Sequence, residues 1–176
     1  NVAIDSAGNG IYNVGSGIIE VASAELTITA KKYGIYGNTG TVTIGNDDSS
    51  YNYNVIIKGD VTGVKMESGG TLNFYDGKIK GKPGMSIVGN TIVKPDGYDI
   101  YKSVDNDEIE TSELRAAHTL TVDPNGGKYN NSTNVTTVSG TEGSTTKVPN
   151  PTRSQYTVTY NYNGRGVANT SAVAKN

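Results

Sequence analysis

The residues that could carry out chemistry are few and scattered along the chain. There is one histidine, His118, and no cysteine, so thiol nucleophiles, thiolate metal ligands and disulfides are excluded. Arginine first appears at position 115. Asp47 and Asp48 stand in the run NDDSSYNYN, together with Tyr51 and Tyr53. These residue types favour a surface that binds a ligand over one that catalyses a reaction.

Enzymes that cleave polysaccharides need more than this chain offers. A lyase needs acidic calcium ligands and an arginine base near its substrate, and residues 1–114 contain no arginine. A hydrolase needs several carboxylates that converge on one bond, and no His-Gly or Arg motif accompanies Asp47 and Asp48. We therefore expect a non-catalytic protein without a metal or a cofactor. A lyase or hydrolase is the least favoured alternative.

Tyrosine supplies the main binding signal. The chain has 12 Tyr but one Phe and no Trp, and each Tyr combines an apolar ring with a polar tip. Such rings can stack on sugars while Asp and Asn donate and accept hydrogen bonds. Alternatively, the rings only stabilise the surface of a sheet. The predicted ligand-binding residues are Tyr12, Tyr36, Tyr51, Tyr53, Asp47 and Asp48.

The first half of the chain, residues 1–97, repeats. Segments that begin at Gly10, Gly34, Gly63 and Gly84 follow one another at steps of 24, 29 and 21 residues. After each of the first three starts we predict two further strands, at 18–21, 41–44 and 71–75 and then at 26–29, 55–58 and 78–80. A repeat of this length with three short strands is typical of a solenoid.

The repeat predicts which residues lie inside such a solenoid. Coils that stack at about 4.8 Å would align two interior columns, Ile11, Ile35, Val64 and Ile4, Ile28, Ile57. The longest coil carries NDDSSYNYN as an insertion, which should protrude at a corner. A leucine-rich repeat is excluded because leucine is scarce and no helix is predicted in each unit.

The first half resembles the right-handed parallel β-helix of pectin-active and carbohydrate-binding surface proteins. An irregular β-sandwich is the alternative. The opening NVAIDSAGNG lines up with ELTITAKKYG, 24 residues later. We therefore expect either further coils upstream of residue 1, or a terminal half-coil at 1–7.

Residues 98–117 differ from the repeats on either side. Five acids stand between Asp105 and Glu113, and glycine is absent there. The run DNDE lacks the ligand spacing and the glycine of an EF-hand calcium loop. This composition predicts a solvated acidic connector or a short helical turn.

A second repeat fills residues 118–176. The run HTLTVDPNGGK at 118 returns as YTVTYNYNGRG at 156, an offset of 38 residues, and NG in each copy predicts a hairpin turn. With VPNPTR at 148–153, the set resembles the Listeria–Bacteroides repeat, or internalin B-type repeat. The resemblance implies a small β-grasp-like module at 118–155 and a partial second module at 156–176. It also implies a spacer or adhesive unit on a bacterial surface.

Charge and resemblance together set the functional expectation. The net charge of −2 gives no broad basic surface for nucleic acid. We expect an extracellular, bacterial cell-surface protein in which all-β modules act in adhesion or glycan binding. Its partners would be a polysaccharide, a host glycan or a host surface protein, and its anchor would lie outside this sequence. A structural stalk that presents another domain is the alternative.

Overall fold

A computed structural model describes residues 2–22, 25–47, 54–67, 69–89, 91–124, 127–145 and 159–162, the last range by its backbone only. The described residues form strands and turns and no helix, so the all-β prediction is confirmed. The chain divides into two compact units, Asn1–Arg115 and Ala116–Asn176. Each unit is described by itself below.

Three parallel sheets build most of the first unit. Its first twelve strands are β1 (Val2–Ser6), β2 (Ile11–Asn13), β3 (Ile18–Val21), β4 (Glu25–Ala30), β5 (Tyr33–Gly37), β6 (Thr41–Ile44), β7 (Asn54–Gly59), β8 (Thr62–Met66), β9 (Thr71–Phe74), β10 (Lys78–Gly81), β11 (Ile87–Val88) and β12 (Thr91–Val93). Every third strand joins the same sheet, in the orders β1-β4-β7-β10, β2-β5-β8-β11 and β3-β6-β9-β12. These strands agree with the predicted ones to within one or two residues at each end.

The predicted interior columns are confirmed by the strand register. Ile4 pairs with Ile28 and Ile28 with Ile57, while Ile11 pairs with Ile35 and Ile35 with Val64. The columns continue to Ile79 and Ile87. From the second member onward every side chain is buried, and each contributes about 1.5–3 kcal/mol to folding.

The predicted start of the fourth segment at Gly84 is wrong by two residues. Ile87 pairs with Val64, so Ser86 takes the place that Gly10, Gly34 and Gly63 hold in the earlier segments. A Cβ on Gly34 would lie 2.6 Å from the Gly63 carbonyl oxygen, and one on Gly63 would lie 2.6 Å from that of Ser86. Gly10, Gly34 and Gly63 therefore form a glycine column, in which only glycine fits between successive strands. Ser86 ends this column.

Most of the predicted acidic connector at 98–117 forms strands, and residues 105–109 form an exposed turn between them. β13 (Tyr98–Val104) and β14 (Glu110–Asp123) are neighbours in the sheet that continues from β10. The Asp105 carboxylate closes the turn between them by accepting the N–H groups of Asp107 and Ile109. The strand pattern was hidden because Glu110 and Ser112, both polar, hold the inward positions of β14.

In the second unit, β14 is flanked on both sides. Residues 117–122 pair antiparallel with β15 (Thr136–Thr141), and residues 120–123 pair antiparallel with β16 (Thr159–Tyr162). His118 lies inside β14. Val122 and Tyr129 are buried. The predicted turns at Asn125 and Asn163 and the VPNPTR segment lie outside the described residues.

Candidate functional site

Three tyrosine rings lie side by side on the sheet β2-β5-β8. Tyr12 and Tyr36 are register partners, with ring centroids 4.7 Å apart and an interplanar angle of 31°. The ring of Tyr33 lies 5.8 Å from that of Tyr36 at an angle of 23°. We call Tyr12, Tyr36 and Tyr33 the tyrosine row, with Tyr36 in its centre.

The local sequence YGIYG explains how β5 contributes two of these rings. Ile35 points into the core and is fully buried, so its neighbour Tyr36 faces outward. Residues three apart on a regular strand face opposite sides, yet the rings of Tyr33 and Tyr36 are in contact. The regular alternation is therefore interrupted between them, where Gly34 closely approaches the neighbouring strand.

Charged side chains surround the tyrosine row. The Lys32 Nζ lies 4.9 Å from the centroid of Tyr33, and the Lys65 Nζ lies 5.3 Å from that of Tyr33 and 5.8 Å from that of Tyr36. All three distances are within the range of cation–π attraction. Glu67 Oε1 accepts from Lys65 Nζ at 2.9 Å and from the Tyr36 hydroxyl at 3.2 Å.

These contacts hold each group in its ordinary charge state at neutral pH. Burial, followed by the charge of Glu67, raises the pKa of Tyr36. The hydrogen bond between Lys65 and Glu67 is the main cause that raises the pKa of the lysine and lowers that of the carboxyl. Tyr36 therefore stays a neutral donor beside an ion pair.

Tyr12 is the member of the row with an open ring. Tyr36 has Tyr12 on one side, and Lys65 is its register partner on the other. Tyr12 is 57 % exposed. Among the described residues β2 pairs with β5 alone, and no described strand pairs with the edge of β2 that lies away from β5.

The structure brings together two of the six predicted site residues. Tyr12 and Tyr36 are in contact, as their equivalent places in the repeat predict. Asp47 follows β6 in another sheet, and no hydrogen bond or ion pair of the described residues joins it to the tyrosine row. Asp48, Tyr51 and Tyr53 lie outside the described residues.

Four residues of the site were missed by the sequence analysis. The repeat places Lys65 in the same column as Tyr12 and Tyr36, and Glu67 follows it two residues later. Writing the segments beneath one another would have found both. Tyr33 and Lys32 gave no such signal, because their place beside Tyr36 depends on the interrupted alternation at Gly34.

A second polar cluster closes the end of the glycine column. Glu110 accepts hydrogen bonds from the N–H of Gly84 at 2.9 Å, from the N–H of Ser86 at 3.2 Å, from the Ser86 hydroxyl, and from Lys102 at 3.2 Å. Ser112 Oγ lies 2.7 Å from Ser86 Oγ. Burial alone would raise the pKa of Glu110, but the hydrogen bonds outweigh burial and lower it to about 2. This carboxylate is fully engaged and joins β14 to the turn before β11.

A groove of about 330 Å³ lies at the carboxyl ends of β7 and β10. Its charged lining residues are Lys58, Asp60, Lys82, Asp107 and Glu108. Both signs of charge are present and none of the described lining residues is aromatic, so the groove offers a sugar less than the tyrosine row does. Across the described ranges, no cluster of three or more His, Asp or Glu is placed to hold a metal ion.

No family model, curated protein or solved structure matches the chain. Among the described residues, no helix has the length and apolar character needed to cross a membrane.

Proposed function

We propose that the first unit binds an extracellular glycan through the tyrosine row, with the ring of Tyr12 as the stacking face. The observation that carries the proposal is the ring of Tyr12, 57 % exposed and supported from one side by Tyr36 at 4.7 Å. An aromatic face with polar groups beside it suits a sugar, which has an apolar C–H face and a rim of hydroxyls.

Polar contacts hold Tyr36, the centre of the tyrosine row, in place. The Tyr36 hydroxyl is held by Glu67, and Glu67 is held by Lys65. Tyrosine also has few rotatable bonds, so it loses little conformational entropy on binding. A preorganised ring costs less to engage than a free one. The preorganised position of Tyr36 supports a binding role for the tyrosine row.

The proposal is of a binding protein and not of an enzyme. Glu110, whose pKa is lowered furthest, already accepts four hydrogen bonds and is not free to take a proton from a substrate. The carboxylate at the tyrosine row, Glu67, is paired with Lys65 at 2.9 Å. Both groups are arranged to hold structure together.

We extend the proposal to the fold type of each part of the chain and to its location in the cell. Residues 1–97 form a right-handed parallel β-helix, which is supported by the return of every third strand to the same sheet. Residues 118–155 form a β-grasp-like Listeria–Bacteroides repeat and residues 156–176 part of a second one, which is supported by the motif set at 118–176. That resemblance favours the surface of a bacterium as the setting and adhesion as the purpose.

A structural stalk is the second candidate. It is favoured by the ties between Tyr36, Glu67 and Lys65, which link β5 to β8 and could serve only to stabilise the sheet. In that case Tyr12 contributes to stability and to no ligand.

A glycan array separates the two candidates. We would screen pectic and mucin-type glycans against the protein, the variant Tyr12→Ala, and the control Tyr98→Ala, which removes a ring that is 42 % exposed on β13. Loss of an aromatic stacking contact should cost about 1–1.5 kcal/mol, or roughly five- to twelvefold in affinity. Tyr98→Ala should bind as the parent does. Thermal unfolding of each variant checks that it is folded. A folded parent protein that binds no glycan contradicts the proposal, and so does a Tyr12→Ala variant of unchanged affinity.

A further inference from the structure

We infer that the glycan is anionic, and that Lys32 at the Tyr33 end of the tyrosine row binds a carboxylate of its sugars. This inference rests on the proposed glycan site and goes further by assigning the chemical class of the ligand and a residue that selects it.

Lys32 is an ammonium group without an acidic partner in the described part of the chain. The neighbouring Lys31 pairs with Asp60 at 3.1 Å, whereas the Lys32 Nζ lies over the face of Tyr33, 4.9 Å from the ring centroid. Lys32 is exposed. Its charge is therefore available to a ligand that lies along the row.

The remaining charges of the site compensate one another. The Lys65 ammonium and the Glu67 carboxylate form an ion pair at 2.9 Å, and Glu67 also accepts from the Tyr36 hydroxyl. With Lys32 added, the charges named around the row leave one net positive charge, on a chain whose formal net charge is −2. A local positive charge favours a negatively charged ligand over a neutral one.

Lys32 and the open ring of Tyr12 lie at different ends of the row. Lys32 flanks Tyr33, and the steps from Tyr33 to Tyr36 and from Tyr36 to Tyr12 are 5.8 Å and 4.7 Å. A ligand that stacks on Tyr12 and reaches Lys32 has to extend along the row. The length of the row therefore favours an oligosaccharide, and the charge of Lys32 favours uronate residues within it.

The test uses a matched pair of probes, an oligogalacturonate and its fully methyl-esterified form. Esterification removes the negative charge and keeps the sugar rings. We would measure the affinity of both probes for the parent protein and for Lys32→Gln, Lys32→Arg and Lys31→Gln. Lys31→Gln is the matched control because it removes the same charge one residue away.

The parent protein should bind the acid form about two- to fivefold more tightly than the ester, as expected for one exposed ion pair. The preference should shrink at 1 M salt, where the screening length is about 3 Å. Lys32→Gln should bind both forms equally, with the ester affinity unchanged. Lys32→Arg and Lys31→Gln should keep the preference.

Two results would overturn the inference and leave glycan binding in place: equal affinity of the parent for both probes, or loss of the preference in Lys31→Gln to the same extent as in Lys32→Gln. Binding of neither probe also overturns it. The glycan array with Tyr12→Ala then decides the proposed function separately.

Discussion

Replacing Glu110 by glutamine should destabilise the first unit while leaving its shape almost unchanged. The carboxylate accepts on both oxygens, from the Gly84 N–H on Oε2 and from Ser86 and Lys102 on Oε1. A glutamine keeps one acceptor oxygen but replaces the other with an amide NH2 group, which only donates. This group would face either the Gly84 N–H or the donors of Ser86 and Lys102. At least one buried donor then faces another donor.

The size of the effect follows from the pKa of Glu110. The hydrogen bonds lower the pKa from 4.5 to about 2, and the residue is only 6 % exposed. That difference corresponds to about 3 kcal/mol of stability at neutral pH. Because the folded-state pKa is the lower one, this stabilisation is present above about pH 4.5. It is lost progressively as the pH falls from there toward 2.

Urea unfolding at pH 7 and at pH 2 measures this contribution. At pH 7 Glu110→Gln should unfold with a free energy about 3 kcal/mol below that of the parent, and at pH 2 most of that gap should close. Glu20→Gln, a change on the exposed side of β3, is the control and should alter stability by less than about 0.5 kcal/mol. An equal difference in the free energy of unfolding at both pH values would refute the role of the Glu110 charge. No difference at pH 7 would refute a stabilising role for the hydrogen bonds of Glu110.

Two further changes test the packing of the first unit. Gly34→Ala should lower the free energy of unfolding by about 1–3 kcal/mol, because the new Cβ would meet the Gly63 carbonyl oxygen at 2.6 Å, whereas Gly8→Ala meets nothing within 4 Å and should be nearly neutral. Equal urea midpoints for the two variants would contradict the glycine column. Ile57→Ala, fully buried, should cost about 2–5 kcal/mol and Ile18→Ala, 76 % exposed, less than about 0.5 kcal/mol in thermal unfolding. A similar loss at both sites would contradict the interior column.

The interior columns could be predicted because their chemistry repeats along with their spacing. Ile4, Ile28 and Ile57 are all isoleucine and recur at steps of 24 and 29 residues, and Ile28 stands between Thr27 and Thr29. Each of these signals requires burial on one face of a strand. They agree with one another, so the register followed from the sequence.

The end of the repeat could not be predicted in the same way. Ser86, Glu110 and Ser112 take inward positions with polar side chains, and their burial is possible only because they satisfy one another and receive Lys102 as a further donor. No periodic pattern identifies such a network, because its partners lie 24 to 26 residues apart and on different elements.

The candidate site was predicted in part for the same reason. Tyr12 and Tyr36 share a place in the repeat, so their contact follows from the register. Tyr33 joins them only because the strand alternation breaks at Gly34, and Lys32 follows Tyr33. The role of Tyr51 and Tyr53 in a protruding loop remains a prediction, since both lie outside the described residues.

The central claim is that a glycan stacks on Tyr12, and an NMR titration with the methyl-esterified oligogalacturonate tests it most directly. With the tyrosine rings labelled, the ring resonances of Tyr12 and Tyr36 should shift with one saturable curve, while those of Tyr98 on β13 stay in place. Saturable binding that shifts neither Tyr12 nor Tyr36, or that shifts Tyr98 instead, would contradict the claim.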